Sequence, residues 1–171
     1  MRHILLVGLP AAGKSTVGAE AAELLRAECV DIDARISRRL GMPIAMIFGS
    51  LGEQHFRELE REAVAAALTE PPAVLIPGGG WAAQPGALEA ARAHAFIIYV
   101  SAPVADAAER AGAGDDRPLL IGQTPVQRMR ALLEEREQYY RQADAEVRNP
   151  NGRQREAATE VARLARAHAG W

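Results

Sequence analysis

Apolar residues along the chain form short unbroken runs that alternate with longer amphipathic segments. These runs predict five short strands, at 4–7, 29–32, 74–76, 96–100 and 146–148. Most of the runs lack polar alternation, which indicates a sheet covered on both faces. The intervening segments predict helices, and strands that alternate with helices are typical of parallel βα units. The predicted helices cover 14–26, 34–40, 43–48, 53–68, 86–94, 103–110, 125–144 and 153–168.

The length and composition are those of a single ordinary globular domain. The chain has 171 residues, and no repeat, linker or low-complexity segment divides it, so we expect one domain over 1–171. The net charge of −2 argues against a nucleic-acid binder that relies on bulk electrostatics. No signal pattern or membrane-length apolar stretch is present, and we expect a cytoplasmic protein that binds neither membrane nor nucleic acid.

Cys29 is the only cysteine, so an intrachain disulfide is impossible. Its apolar surroundings favour a small core residue, and a catalytic thiol is the less favoured alternative.

The first predicted strand runs directly into a phosphate-binding loop. The segment from Gly8 to Ser15 reads G-L-P-A-A-G-K-S, which fits the pattern G-x-x-x-x-G-K-[ST], with a strand before it and a helix after it. Backbone N–H groups in such a loop receive phosphate oxygens at a helix N-terminus. The pattern predicts that Lys14 reaches the β- and γ-phosphates of ATP and that the Ser15 hydroxyl ligates Mg²⁺. The predicted ATP-binding residues here are Gly8, Ala11, Ala12, Gly13, Lys14, Ser15 and Thr16.

Lys14 is also the only lysine among 20 basic residues. Lysine carries a slim point charge and arginine a planar fork, so a site that keeps lysine should be narrow. This supports a specific role for Lys14 over a chance survival.

Two aspartates, Asp31 and Asp33, close the second predicted strand. Residues two apart on a strand point to the same side, so we expect both carboxylates to face the phosphate loop. One would hold water of the Mg²⁺ shell, and the other would orient an acceptor hydroxyl or take its proton. The alternative is that one of them caps the helix that starts near Ala34.

Three further groups carry candidate chemistry. Arg57 and Glu60 lie three residues apart on a predicted helix and should pair on one face. The triple glycine 78–80 follows the third strand, where a backbone contact to a ligand is favoured over a plain turn. The polar, glycine-containing segment 112–124 carries Arg117 and resembles a lid, with an ordinary surface loop as the alternative. The pattern alone does not separate Arg136 from Arg130 or Arg141 of the same predicted helix.

In order and spacing these elements resemble the shikimate kinases. The resemblance spans residues 6–153 and rests on the phosphate loop, the sequences D-I-D at 31–33, G-E-x-x-F-R-x-x-E at 52–60, G-G-G at 78–80 and R-P-L-L at 117–120, and Arg136 followed by Tyr140. It implies a three-layer α/β/α P-loop fold with the strand order 2-3-1-4-5. It also implies a monomeric, ATP- and Mg²⁺-dependent kinase that phosphorylates the 3-hydroxyl of shikimate.

The resemblance assigns roles by position. Lys14, Asp33 and Arg117 match the catalytic residues, and Asp31 with Ser15 matches the metal site. The segment 34–61 matches the acceptor-binding subregion and 112–124 the lid. The residues that match the shikimate site are Asp33, Phe48, Phe56, Arg57, Gly78, Gly79, Gly80 and Arg136, and those that match the remaining ATP site are Arg110, Arg117 and Arg153.

The chain departs from the family pattern in several places. Ala11 replaces a glycine of the phosphate loop, and Trp81 stands directly after the glycines, where a small residue is usual. Trp81 is expected to border the acceptor pocket and to affect specificity. Two alternatives therefore stay open, a kinase of the same fold acting on another acceptor such as gluconate or a nucleotide, and a nucleotide-binding regulatory domain without phosphotransfer.

Overall fold

The centre of the molecule is a parallel sheet in the order β2-β3-β1-β4-β5. The structure is a computed structural model that describes residues 1–112 and 123–171. The predicted α/β class, parallel sheet and strand order are confirmed. The strands are β1 (His3–Val7), β2 (Cys29–Asp31), β3 (Val74–Ile76), β4 (Ala95–Ser101) and β5 (Ala145–Arg148).

Helices cover both faces of this sheet. Along β1, Leu5 and Val7 point into one core and Ile4 and Leu6 into the other, as the pleat requires. The helices are α1 (Lys14–Leu25), α2 (Ile32–Leu40), α3 (Ile44–Ala67), α4 (Ala87–Arg92), α5 (Val104–Gly112), α6 (Pro125–Tyr140) and α7 (Gln154–His168), with a short 3₁₀ helix at Trp81–Ala83. The first core is closed mainly by α2, α3 and α4, and the second by α1 and α7.

Several predicted boundaries differ from the structure. Ile32 begins α2 instead of ending β2, because Asp31 accepts a hydrogen bond from the Ala34 amide at 3.0 Å and caps the helix. The two helices predicted at 43–48 and 53–68 form one helix, α3, which kinks at Gly52 (φ 81°, ψ 164°). Helix α6 ends at Tyr140, four residues before the predicted end at 144.

In the part of the chain that the structure describes, no helix has the length and apolar character needed to cross a bilayer.

His3 is a buried histidine that is expected to make the stability of the fold depend on pH. Its side chain is buried, and its Nδ1 accepts a hydrogen bond from the Ala73 amide at 3.1 Å. Burial lowers the pKa of His3 below its ordinary value, against an opposing effect of nearby backbone hydrogen bonds. The unfolded state therefore binds the proton more readily than the folded state does.

We expect the free energy of unfolding to be highest above about pH 6.5, the ordinary histidine pKa. It should decrease as the pH falls from there toward the lower pKa of His3 in the folded state. Denaturant titrations of wild type and His3→Gln over pH 5 to about 8 would measure this effect. The variant should lose part of the slope, and identical slopes would contradict the assignment to His3.

Candidate active site

The phosphate loop joins β1 to α1 and has the geometry of an anion site. Gly13, the residue before α1, has φ 89°, a conformation that favours glycine, and its position leaves no room for a Cβ beside Asn149. No side chain caps this end of the helix, so its amides remain available to phosphate oxygens. Ala11 also has a positive φ of 59°, which costs an alanine about 1 kcal/mol and explains why glycine is usual there.

Lys14 folds back over this loop. Its ammonium donates to the carbonyls of Gly8 at 3.0 Å and Leu9 at 2.8 Å, and the residue is buried. An arginine fork would not fit between two adjacent carbonyls in this way. The narrow surroundings that the lone lysine predicted are therefore present.

Ser15 and Asp31 meet beside the loop. The Ser15 hydroxyl donates to Asp31 Oδ2 at 3.0 Å, while Asp31 Oδ1 accepts from the Ala34 amide. A hydroxyl and a carboxylate that already lie together are oxygen donors of the kind that Mg²⁺ prefers. These residues fit the predicted metal site, which phosphate oxygens and water would complete. Within residues 1–112 and 123–171 no cluster of three or more His, Cys, Asp or Glu could hold a metal alone.

Asp33 is not placed as the strand argument required. It lies in the first turn of α2, so the two aspartates do not share one side of a strand, and that reasoning was wrong. The helix instead turns Asp33 toward the triple glycine, where its Oδ1 would lie 3.2 Å from a Cβ added at Gly78. The alternative that one aspartate is a helix cap is correct for Asp31, which also bonds to Ser15.

Glu60 organises the acceptor side of the site. It has no exposed surface and accepts from Arg57 at 2.9 Å, the Gly78 amide at 2.9 Å and Gln84 Nε2 at 2.7 Å. The predicted pairing of Arg57 with Glu60 is confirmed. Arg57 also contacts Glu53 at 3.2 Å. Burial raises the pKa of Glu60, while Arg57 beside it opposes that shift.

A cavity of about 410 Å³ lies in front of this network. Arg57 lines it from α3, Arg128 and Arg136 line it from α6, and Pro10 of the phosphate loop lines it as well. Arg136 is 8% exposed and lies 3.6 Å from Glu135. Three arginines therefore meet at one cavity, a composition that suits a carboxylate. Arg136 is the most buried of them, which the sequence pattern alone could not predict.

The apolar wall of the cavity comes from Phe48, with Ala45 and Leu132. Phe56, predicted as a second ring against the substrate, has no exposed surface and packs behind Phe48 with ring centroids 4.5 Å apart. The prediction that Phe56 contacts the substrate ring directly was wrong in this structure, and Phe56 supports Phe48 instead. The expectation that Trp81 borders the acceptor pocket was also wrong, since Trp81 is 2% exposed and belongs to the hydrophobic core.

The triple glycine is packed too closely for side chains. A Cβ at Gly79 would lie 2.6 Å from Pro10, and one at Gly80 would lie 2.5 Å from Arg57. The Gly79 carbonyl accepts from the Tyr140 hydroxyl at 2.5 Å. Burial raises the pKa of Tyr140 to about 12, so this hydroxyl keeps its proton near neutral pH. These glycines therefore hold the phosphate loop, α3 and α6 together around the cavity.

A second groove, of about 450 Å³, runs along Gly13, Ser15 and Thr16. Arg110 borders it and donates to the carbonyls of Ala12 at 3.1 Å and Asn149 at 3.0 Å. Arg153, predicted to flank the adenine, is exposed, pairs with Glu156 and does not line this groove. Arg117 and positions 113–122 of the predicted lid lie outside the described residues.

The sequence argument missed two residues that line the second groove and one that supports the cavity. Asn151 and Gln154 line the groove beside the phosphate loop, here named the nucleotide groove, and the polar run after β5 was the available signal. Gln84 bonds to Glu60 from a position 24 residues away in the chain, and no pattern marks it.

The geometry agrees with comparisons to known proteins. The family model "Shikimate kinase" matches residues 10–166. The chain belongs to the shikimate kinase family. It is 43% identical to the shikimate kinase of Mycobacterium avium (strain 104) over 151 residues, which is 85% of each chain. A shikimate kinase structure from Acinetobacter baumannii in complex with shikimate has a TM-score of 0.91 and 33% identity, covering 98% of this chain and 94% of that one.

Membership of the shikimate kinase family distinguishes this chain from other proteins of the same architecture. A gluconokinase structure from Sinorhizobium meliloti 1021 has a TM-score of 0.62 and 18% identity, covering 99% of this chain and 96% of that one. That likeness shows the shared fold alone. The residues that line the acceptor cavity therefore carry the argument about substrate.

Proposed function

We propose that this enzyme transfers the γ-phosphate of ATP to the 3-hydroxyl of shikimate. The observation that carries the proposal is the convergence of arginines from α3 and α6 on a cavity that Pro10 of the phosphate loop also lines. Shikimate is a carboxylate on a carbon ring that carries hydroxyls. The arginines suit its carboxylate, and Phe48 suits the apolar face of its ring.

The proposed mechanism uses residues already brought together around the two cavities. The loop amides and Lys14 hold the phosphates of ATP and offset their charge as the phosphoryl group moves. Ser15 and Asp31 would hold Mg²⁺, which supplies further positive charge beside the phosphates when it is bound. Asp33, at Gly78, orients the acceptor hydroxyl or takes its proton. Arg117 remains a proposed lid residue by family resemblance.

By its family resemblance, the enzyme is proposed to act as a monomer. The use of ATP also supports action in the cytoplasm.

The substrate assignment is tested by ADP release from Mg·ATP with shikimate, gluconate, nucleoside monophosphates or no acceptor. We expect turnover with shikimate. Turnover with gluconate alone would support a kinase activity but contradict shikimate as the acceptor. ATP binding without turnover for any acceptor would favour a regulatory domain.

Arg57 and Arg136 form the proposed carboxylate clamp, and Arg136→Met tests it. Arg130→Met, on the exposed face of α6, is the matched control. Loss of a buried charged partner should raise the KM for shikimate about 10²-fold, while the control changes it little. The same variants are then compared on a shikimate analogue with a hydroxymethyl group in place of the carboxylate, which gives a cycle of two enzymes and two substrates. Wild type should discriminate strongly against this analogue and Arg136→Met only weakly. Equal discrimination by both would place the carboxylate elsewhere.

A further inference from the structure

Gln84 is a buried polar residue that the reaction described above does not use. It follows the 3₁₀ helix Trp81–Ala83 and is 9% exposed. Its Nε2 donates to Glu60 Oε2 at 2.7 Å. Among the described residues its Oε1 has no hydrogen-bond partner. The buried oxygen without a partner costs free energy, so the hydrogen bond that Nε2 donates to Glu60 is the favourable interaction of this amide.

The surroundings of Glu60 explain what the donor does. The other two groups that bond to this carboxylate, Arg57 and the Gly78 amide, are also donors. An ionised carboxylate can only accept, so three donors match its charged form and its two oxygens. Arg57 is the favourable charge beside Glu60, and Asp33 is a nearby charge of the same sign. Burial opposes ionisation, so each donor matters.

Glu60 does not line the acceptor cavity, but the residue it holds does. Arg57 lies on the cavity wall, and Gly78 adjoins Asp33. A change at Glu60 would therefore displace both the proposed carboxylate clamp and the backbone beside the proposed base. Gln84 reaches these groups only through Glu60.

We propose that Gln84 is a positioning residue, which holds the Glu60 carboxylate against Arg57 and the Gly78 amide and thereby sets the geometry of the acceptor site. The inference rests on the proposed function, since it concerns how that acceptor site is held. It adds a residue outside both cavities to the determinants of acceptor binding.

The proposal predicts a characteristic pH response. Without the Gln84 donor, the pKa of Glu60 should rise further, because burial is no longer offset as strongly. A protonated Glu60 would present a hydrogen to neighbours that are donors themselves. Arg57 would then lose its partner, and acceptor binding would weaken at the acidic end of the pH range.

Gln84→Met removes the donor and nearly preserves the side-chain volume. We expect the KM for shikimate to rise about tenfold or more, as for loss of one hydrogen bond to a buried charge. The KM for ATP should change less than about twofold, since the nucleotide groove does not include Glu60. The acidic limb of kcat/KM should move to higher pH. Gln138→Met, on the exposed face of α6, is the matched control.

Gln84→Glu should shift the pH profile in the opposite direction. At low pH one carboxyl of the new pair stays protonated and donates to the other, as the amide did. At higher pH both ionise and repel each other, so kcat/KM should fall as the pH rises. A residue that only packs would produce neither this basic limb nor the acidic shift of the methionine variant.

Infrared spectroscopy of the carboxyl groups, with Glu60→Gln as the assignment control, measures the protonation of Glu60 without turnover. A Glu60 band and a KM for shikimate that are unchanged in folded Gln84→Met would overturn the proposal. If wild type failed to phosphorylate shikimate, the proposed function would fail, while the infrared titration would still decide whether Gln84 controls Glu60. Since the methionine variant buries no new charge, it decides the matter even if Gln84→Glu does not fold.

Discussion

Asp33→Asn is expected to lower kcat with shikimate by about 10²–10⁴-fold, the usual contribution of a positioned acid or base. Asp33 lies in the first turn of α2 next to Gly78, and Gly79 is too close to Pro10 of the phosphate loop to carry a side chain. The carboxylate thus lies beside the glycine segment that packs against the phosphate loop. Asparagine keeps the shape of the side chain but cannot take a proton, so the loss should appear in kcat.

The measurement is a steady-state titration of shikimate at saturating Mg·ATP, together with ATP binding to the same variant. ATP affinity should be nearly unchanged, since Asp33 is not in the nucleotide groove. Glu62→Gln, an exposed carboxylate of α3, is the control and should behave as wild type. A variant that keeps wild-type kcat and loses only shikimate affinity would show that Asp33 binds the acceptor and is not a base.

Lys14→Met should lower kcat by about 10²–10³-fold, as for removal of one preorganised donor to developing charge. Lys14 donates to the Gly8 and Leu9 carbonyls, so it is held in place before ATP arrives. Lys14→Arg should recover little of the lost activity, because the planar fork does not fit this narrow position. The expected order of activity is wild type, then arginine, then methionine.

Single-turnover phosphoryl transfer measures this loss directly, and circular dichroism checks that each variant is folded. Because Lys14 is the only lysine, an amine-specific reagent can modify only this side chain and the chain's terminal amine. Mass spectrometry should show that Mg·ATP protects Lys14 from labelling. Labelling at the same rate with and without Mg·ATP would contradict a phosphate contact.

Local sequence was sufficient for the βα alternation and for the phosphate loop. The apolar runs of β1 and β4 indicate buried strands because few other local structures hide so many adjacent aliphatic side chains. The loop was predictable because its glycines, Lys14 and Ser15 act within eight consecutive residues. The Arg57–Glu60 pair was predictable for the same reason, since helical spacing alone brings the two side chains together.

Helix starts and bends were less predictable. Asp31 and Asp33 were expected to share one side of a strand, yet the cap at Asp31 begins the helix and separates their directions. One hydrogen bond decides that boundary, and hydrophobic periodicity does not record it. The predicted break between the helices at 43–48 and 53–68 is likewise a kink at Gly52 inside α3.

The sequence by itself determined the layered α/β fold, the phosphate loop with its single lysine and, through the order of its motifs, the resemblance to the shikimate kinases. Only the tertiary structure showed which arginines of α6 line the acceptor cavity, buried Trp81 and Phe56, excluded Arg153 from the nucleotide groove and brought Gln84 to Glu60. The physical reason is distance along the chain. Periodicity and motifs report contacts between near neighbours, whereas these outcomes depend on packing between elements that meet only after the sheet and helices assemble.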